Sequence, residues 1–204
     1  MFITFEGSEG CGKSTQLARL ANDLRRLGYA VLTTREPGGT PIGDQVRNIL
    51  LSHRNLDMHA RSEILLFQAS RAQLVEQVIR PHLASGGIVL SDRYADSTLA
   101  YQGYGRQNDL NELRTLIGFA TGGLVPDLTL LLDVDVAVGL QRRTSGGQVN
   151  RLDALTIDFY QRVRQGFLSL AAAEPQRWVV VDANQSPKKV ALAIQQVVLA
   201  RLKR

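Results

Sequence analysis

GSEGCGKST, residues 7–15, decides how the rest of this chain is read. Gly7, Gly12, Lys13 and Ser14 satisfy the spacing G-x-x-x-x-G-K-[ST], the signature of a loop that wraps phosphate. The stretch follows FITF (2–5), a short apolar run suited to a buried parallel strand. It precedes Leu17, Leu20, Ala21, Leu24 and Leu27, which recur at helical spacing until Gly28 supplies a stop. In that setting the glycines let the backbone curl, so that successive N–H groups face phosphate oxygens, and the helix N-terminus adds its positive dipole. Gly7, Ser8, Glu9, Gly10, Cys11, Gly12, Lys13, Ser14 and Thr15 are therefore expected to cradle a nucleotide triphosphate. Lys13 is expected at the β and γ phosphates and the Ser14 hydroxyl on Mg²⁺. A plain glycine turn with an exposed lysine would show the same letters, but the strand before and the helix after argue against it. Cys11 has no histidine near it in sequence and reads as a small filler of the loop.

Working outward, YAVLTT (29–34) is expected to be a second strand and REPGGT (35–40) a turn-rich loop, with a helix through about Leu51. Residues 58–80 carry a long helical pattern that should end before Pro81. GIVLSD (87–92), LTLLLDV (128–134) and RWVVVD (177–182) read as three more strands. Residues 141–153 hold arginines around two glycines without apolar periodicity, and are expected to form a mobile loop. Ile157, Tyr160, Val163, Phe167 and Leu170 resume a helix, and Val190, Ile194 and Val197 mark a last one; RLKR (201–204) is expected to be its frayed basic end. Nearly continuous apolar strands alternating with amphipathic helices imply an α/β fold, a parallel sheet covered on both faces. Ligands in such sheets collect at the carboxyl ends of the strands, where the polar motifs of this chain fall.

The chain has 204 residues, 44% hydrophobic and 21% charged, with a formal charge of +5. That size suits one compact domain over residues 1–204, and the charge suits a polyanionic ligand. The arginines are dispersed and form no basic tract, which favours a nucleotide over nucleic acid. A single cysteine, no signal-peptide pattern and no apolar run long enough for a bilayer point to a reducing, cytoplasmic setting without a membrane partner.

The third strand ends in SDRY (91–94), an aspartate and an arginine facing the phosphate loop. Asp92 is suited to orient a metal-bound water and Arg93 to grip the phosphate of an acceptor. None of the three histidines (His53, His59, His82) sits in a motif. Transfer onto a phosphate monoester needs no general base, because the attacking oxygen is already ionised, so positioning and charge neutralisation suffice. No Asn-Lys-x-Asp guanine motif supports a GTP switch. Another small-molecule kinase with this loop, or a nucleic-acid-dependent ATPase, would share the loop but has less use for SDRY.

GSEGCGKST, TREPGGT (34–40), LLFQASRAQ (65–73), DRYADSTLAYQG (92–103) and PDLTLLLDV (126–134), with the arginine-bearing loop before NRLD (150–153), together resemble bacterial thymidylate kinases over essentially the whole chain. The resemblance implies a three-layer P-loop kinase fold with a five-stranded parallel sheet and a short arginine-bearing lid at about 141–153. It implies phosphoryl transfer from ATP, with Mg²⁺, to dTMP, giving dTDP for dTTP synthesis, commonly by a homodimer. Phe67 would stack on thymine and Arg71 would reach the base or its phosphate. Taken alone, Phe67 reads as core; with Arg71 four residues on, one helix face carries a ring and a cation. Pro37 would help wall the thymine pocket, while Arg35 and Glu36 brace it. Arg93 would bind the dTMP phosphate, and Ser97 belongs to the same dTMP-contacting set. Thr98 and Gln102 would lie near the base edge, and Tyr101 would crowd the sugar 2′ position. Glu9 corresponds to the acidic loop residue that faces the acceptor. With no arginine in the loop, catalytic arginines are expected in the lid, where Arg142, Arg143 and Arg151 stand as alternatives. Here Asn150 stands where an aspartate is often found.

Overall fold

The computed structural model describes residues 1–145 and 156–203. Its sheet is five-stranded and wholly parallel, in the order β2-β3-β1-β4-β5, with β1 Phe2–Glu6, β2 Val31–Arg35, β3 Ile88–Asp92, β4 Leu128–Asp133 and β5 Trp178–Asp182. The helices are α1 Lys13–Arg26, α2 Pro41–Leu51, α3 Ala60–Leu74, α4 Arg80–Ala84, α5 Ala95–Thr98, α6 Leu110–Thr121, α7 Val136–Ser145, α8 Ile157–Ala173 and α9 Pro187–Leu202.

Strand alternation divides the core into two layers. Ile3 and Phe5 of β1, Ile88 and Leu90 of β3, and Leu128, Leu130 and Leu132 of β4 pack on Leu17, Leu20 and Leu24 of α1 and Val190, Ile194 and Val198 of α9. On the opposite face Leu131 and Trp178 meet Phe159, Tyr160, Val163 and Phe167 of α8, while Phe2 and Val89 meet Leu74, Val75 and Tyr94. Between these apolar patches the second face is polar and buried: Thr4, Glu6, Ser91 and Thr129 are all wholly inaccessible. The Thr4 and Thr129 hydroxyls are bonded at 2.9 Å, and Arg177 donates to Thr129 Oγ1 at 2.7 Å and to Asp96 at 2.6 and 3.0 Å.

Several boundaries differ from expectation. Strand β2 begins at Val31, because the chain first completes the end of α1: Tyr29 N–H donates to Leu24 O at 3.1 Å and Gly28 adopts φ 89°. The helix expected to stop before Pro81 continues to Ala84. It passes through a π-helical segment, Val75–Ile79, whose wider turn accommodates the missing proline N–H. A second π-helical segment, Leu99–Gly105, carries the AYQG motif. Helix α6 was not expected; its signal is Asp109, which caps the N–H groups of Asn111 and Glu112 at 2.7 and 3.0 Å. The expected loop at 141–153 is helical through Ser145, started by Asp135 accepting from Ala137 N–H at 2.9 Å; residues 146–155 lie outside the described residues. Within the segment expected to fray, α9 runs to Leu202 and Arg201 donates to Gln176 O at 2.7 Å; Arg204 lies outside the described residues. Among the described residues no helix is long and apolar enough to cross a membrane.

Candidate active site

The carboxyl ends of β1, β2 and β3 open into a cavity of about 520 Å³. Its floor is the turn from β1 into α1. Gly7 (φ 138°) has no room for a side chain, because a Cβ there would lie 2.5 Å from Leu132 O. The start of α1 carries no side-chain cap and no acidic residue in its first turn, so its N–H groups and dipole remain open to an anion. Lys13 turns back over the loop and donates to Gly7 O and Ser8 O, both at 3.0 Å, with Cys11 Sγ at 3.4 Å. Cys11 is buried, as a filler should be. Gly7, Ser8 and Cys11 support the loop from behind, whereas Glu9, Gly10, Gly12, Lys13, Ser14 and Thr15 line the cavity.

Opposite the loop stands SDRY. Ser14 Oγ donates to Asp92 Oδ2 at 2.5 Å, which links α1 to the end of β3. Arg93 adopts φ 73°, a left-handed conformation that costs a non-glycine residue energy and is retained where surroundings enforce it. Its guanidinium donates to Glu9 Oε1 (2.6 Å), Tyr101 OH (2.9 Å), Gly7 O and Ser97 Oγ (both 3.2 Å). Tyr101 OH in turn donates to Glu9 Oε1 at 2.9 Å, and the Arg93 guanidinium carbon lies 4.8 Å from the centre of the Tyr101 ring. Burial opposes the charge of Glu9, but Arg93, Lys13 and the Tyr101 hydroxyl outweigh it and bring the carboxyl down to about 2. Burial likewise opposes the charge of Arg93, and Glu9 above all holds it well above its ordinary value. Behind this pair Glu6 accepts from Tyr94 N–H at 2.8 Å and from Ser97 Oγ at 2.6 Å; burial first, and then Asp96, push its carboxyl up to about 8.

The remaining candidates form a second wall. Phe67 is half-buried on α3 and lines the cavity with Pro37, Thr98 and Gln102. Arg71 is also on this wall, yet it is 1% exposed and all five of its N–H groups have protein acceptors. Nε and Nη2 donate to Glu36 Oε2 (2.9 and 2.6 Å), Nη1 to Gln68 Oε1 (2.8 Å) and Thr98 Oγ1 (3.1 Å), and Nη2 also to Tyr94 O (3.1 Å). Gln102 Nε2 donates to Glu63, which is paired with Arg106 at 3.0 Å. Arg35 is exposed and stands 3.9 Å from Asp44. Arg142 and Arg143, on the last turn of α7, line the cavity, and Arg142 also donates to Ala183 O at 3.2 Å; Arg151 lies outside the described residues. The sequence reading missed Arg47 and Leu51 of α2, which line the same cavity. Arg47 donates to Pro37 O at 2.8 Å, and burial together with Arg35 lowers its affinity for a proton. Its one sequence cue is weak: Arg47 is the sole basic residue of that helix.

One cavity thus joins an open helix N-terminus, a loop lysine, an ionised loop carboxylate and a converging set of arginines, with an aromatic ring on the wall. That arrangement can bring two phosphate groups together. Comparison with known proteins accords with it. Residues 5–194 match the family model described as thymidylate kinase. The chain is 53% identical to the thymidylate kinase of Deinococcus radiodurans, covering 98% of this chain and 97% of that protein. It is 50% identical to that of Roseiflexus sp. strain RS-1, over 97% and 93% respectively. The crystal structure of thymidylate kinase from Ehrlichia chaffeensis superposes with a TM-score of 0.81 at 35% identity, over 97% of this chain and 98% of that one. The chain belongs to the thymidylate kinase family.

Proposed function

We propose that the protein transfers the γ-phosphoryl group of ATP to dTMP, giving dTDP, in the supply of dTTP. The observation that carries this reading is the facing of Lys13 and the open α1 N-terminus toward Arg93 within one cavity, an arrangement that suits a donor and an acceptor phosphate. ATP lies along Gly7–Thr15, with Lys13 at its β and γ phosphates. The dTMP phosphate takes Arg93, with Arg47 adding charge; the thymine stacks on Phe67 beside Pro37, with Thr98 and Gln102 at its edge. Arg71 is held rigid by Glu36 and acts as part of the pocket wall. Arg35 contributes field from the rim, and Tyr101, fixed by Arg93 and Glu9, closes the space beside the sugar 2′ position. The acceptor phosphate supplies its own ionised oxygen, so Glu9 serves to orient Arg93 rather than to take a proton. Arg142 and Arg143, with Arg151 as the third alternative, neutralise charge that develops in transfer.

Ser14 Oγ and Asp92 Oδ2, two oxygen donors 2.5 Å apart, fit Mg²⁺, which keeps most of its water and takes its other ligands from phosphate. Among the described residues no cluster of three His, Cys, Asp or Glu competes with this arrangement. Bound there, Mg²⁺ would neutralise the phosphates of ATP. A homodimer is proposed through the adjacent helices α3 and α6, where Leu65 is 56% and Phe119 90% exposed. Phe119→Asp should then lower the mass measured by light scattering to that of one chain; an unchanged mass places the interface elsewhere.

The test of the reaction is a coupled assay with ATP–Mg²⁺ and dTMP, dUMP, UMP, CMP and AMP in turn. Turnover should be fastest with dTMP. Faster turnover with AMP or CMP would overturn the reading.

A further inference from the structure

Glu6 is a carboxyl at the centre of the sheet that forms no direct ion pair among the described residues; the Arg93 charge acts on it only across Ser97 and the intervening space, and burial outweighs it. It is wholly inaccessible, it sits on the central strand β1, and its polar contacts are the Tyr94 N–H and the Ser97 hydroxyl. Burial of a carboxyl on these terms opposes folding, and an apolar side chain of similar volume would serve the core better. Its contacts explain its presence. Tyr94 follows Arg93 directly, so the Tyr94 N–H bond fixes the backbone just beyond the left-handed turn that aims Arg93. Ser97 Oγ, anchored on Glu6 at 2.6 Å, accepts from Arg93 Nη1 at 3.2 Å. Arg93's other side-chain partners are Gly7, Glu9 and Tyr101; Gly7 and Glu9 belong to the phosphate loop, which a nucleotide engages. Ser97 is braced from the sheet and does not belong to that loop.

We infer that Glu6 is a positioning residue for the acceptor phosphate, acting through Ser97 and the Tyr94 N–H to hold the Arg93 guanidinium in place. The inference rests on the proposed role of Arg93 toward dTMP. It gives Ser97 a different task from direct substrate contact: the hydroxyl is committed to the Glu6–Arg93 link.

The test compares KM for dTMP with KM for ATP in Ser97→Ala, Glu6→Leu and Glu6→Gln. Ser97→Ala removes the link while leaving the Tyr94 bond, and should raise KM for dTMP about tenfold, as expected for one lost hydrogen bond to a charged group, with KM for ATP within about twofold of wild type. Glu6→Leu should raise it at least as much. Glu6→Gln keeps an acceptor for Tyr94 N–H and a polar partner for Ser97, and should recover most of the wild-type value. The double variant Glu6→Leu/Ser97→Ala should be no worse than Glu6→Leu, since both act on one path. A folded Ser97→Ala with unchanged KM for dTMP, or variants that shift both KM values equally, would overturn the inference. Failure of wild-type protein to phosphorylate dTMP would instead overturn the functional reading itself.

Discussion

Replacing Arg71 with methionine tests whether the pocket wall is held by its buried ion pair. Arg71 and Glu36 are 1% and 4% exposed at their side chains, and Arg71 Nη2 stands 2.6 Å from Glu36 Oε2. The substitution keeps an apolar stem but strands a buried carboxylate and removes donors from Gln68 Oε1, Thr98 Oγ1 and Tyr94 O. Removal of one partner of a buried pair costs about 3–5 kcal/mol, because the other charge stays buried without compensation. That is a large part of the roughly 5–15 kcal/mol that holds a folded domain. Glu36→Met should cost about as much, again ~3–5 kcal/mol, for the same reason. The double variant, which leaves no stranded charge, should lose no more than either single one. Urea unfolding without nucleotide, at pH 7 and a fixed protein concentration, measures all four forms. Additive losses in the double variant, or an Arg71→Met loss under about 1 kcal/mol, would refute the reasoning that these two charges sustain each other.

Lys13→Ala should lower kcat by roughly a hundredfold or more in protein that the unfolding curve shows to be folded, because the charge proposed to face phosphate is lost; near-normal turnover would remove Lys13 from the mechanism. Tyr101→Ala should bring the kcat/KM ratio of dTMP to UMP down toward one, and an unchanged ratio would discard the steric role at the 2′ position. Glu9 is ionised down to about pH 2 when folded, against an ordinary value of 4.5, so its stabilising contribution is complete above 4.5 and is lost as pH falls through about 2. The stability gap between wild type and Glu9→Gln should therefore hold steady from pH 7 to pH 5 and narrow below pH 4.5, and a gap indifferent to acid would show that the carboxylate gains nothing from Arg93 and Lys13.

The sequence made the layout of the sheet and the phosphate loop legible for a physical reason. Buried parallel strands read as apolar runs, and a tight loop before a helix requires glycines at set intervals. SDRY was legible as a pair because both residues fall at a strand end. What stayed hidden depends on contacts distant along the chain. Nothing in FITFE marks Glu6 as buried beneath Tyr94 and Ser97, some ninety residues on. The family resemblance gave Arg71 a role at the base or its phosphate, but neither it nor the helical spacing from Phe67 could show that Glu36, Gln68, Thr98 and Tyr94 accept from its donors. Arg47 carried no motif and entered the cavity only through the packing of α2 beside α3. The π-helical turns escaped notice because they leave apolar periodicity almost intact while moving each later side chain around the helix axis.

Lys13 gives the loop a property that bears on turnover rather than on capture. Lys13 is 7% exposed, so its ammonium group needs oxygen partners whether or not a phosphate is bound, and Gly7 O and Ser8 O stand 3.0 Å away to supply them. The loop thus holds an internal substitute for its own ligand. On the proposed placement of ATP, a nucleotide would have to displace that substitute on arrival, at a cost to its affinity, and would leave it ready to return on departure, which favours release. An enzyme that must let go of its product on every cycle gains more from such a resting place than from the tightest possible hold.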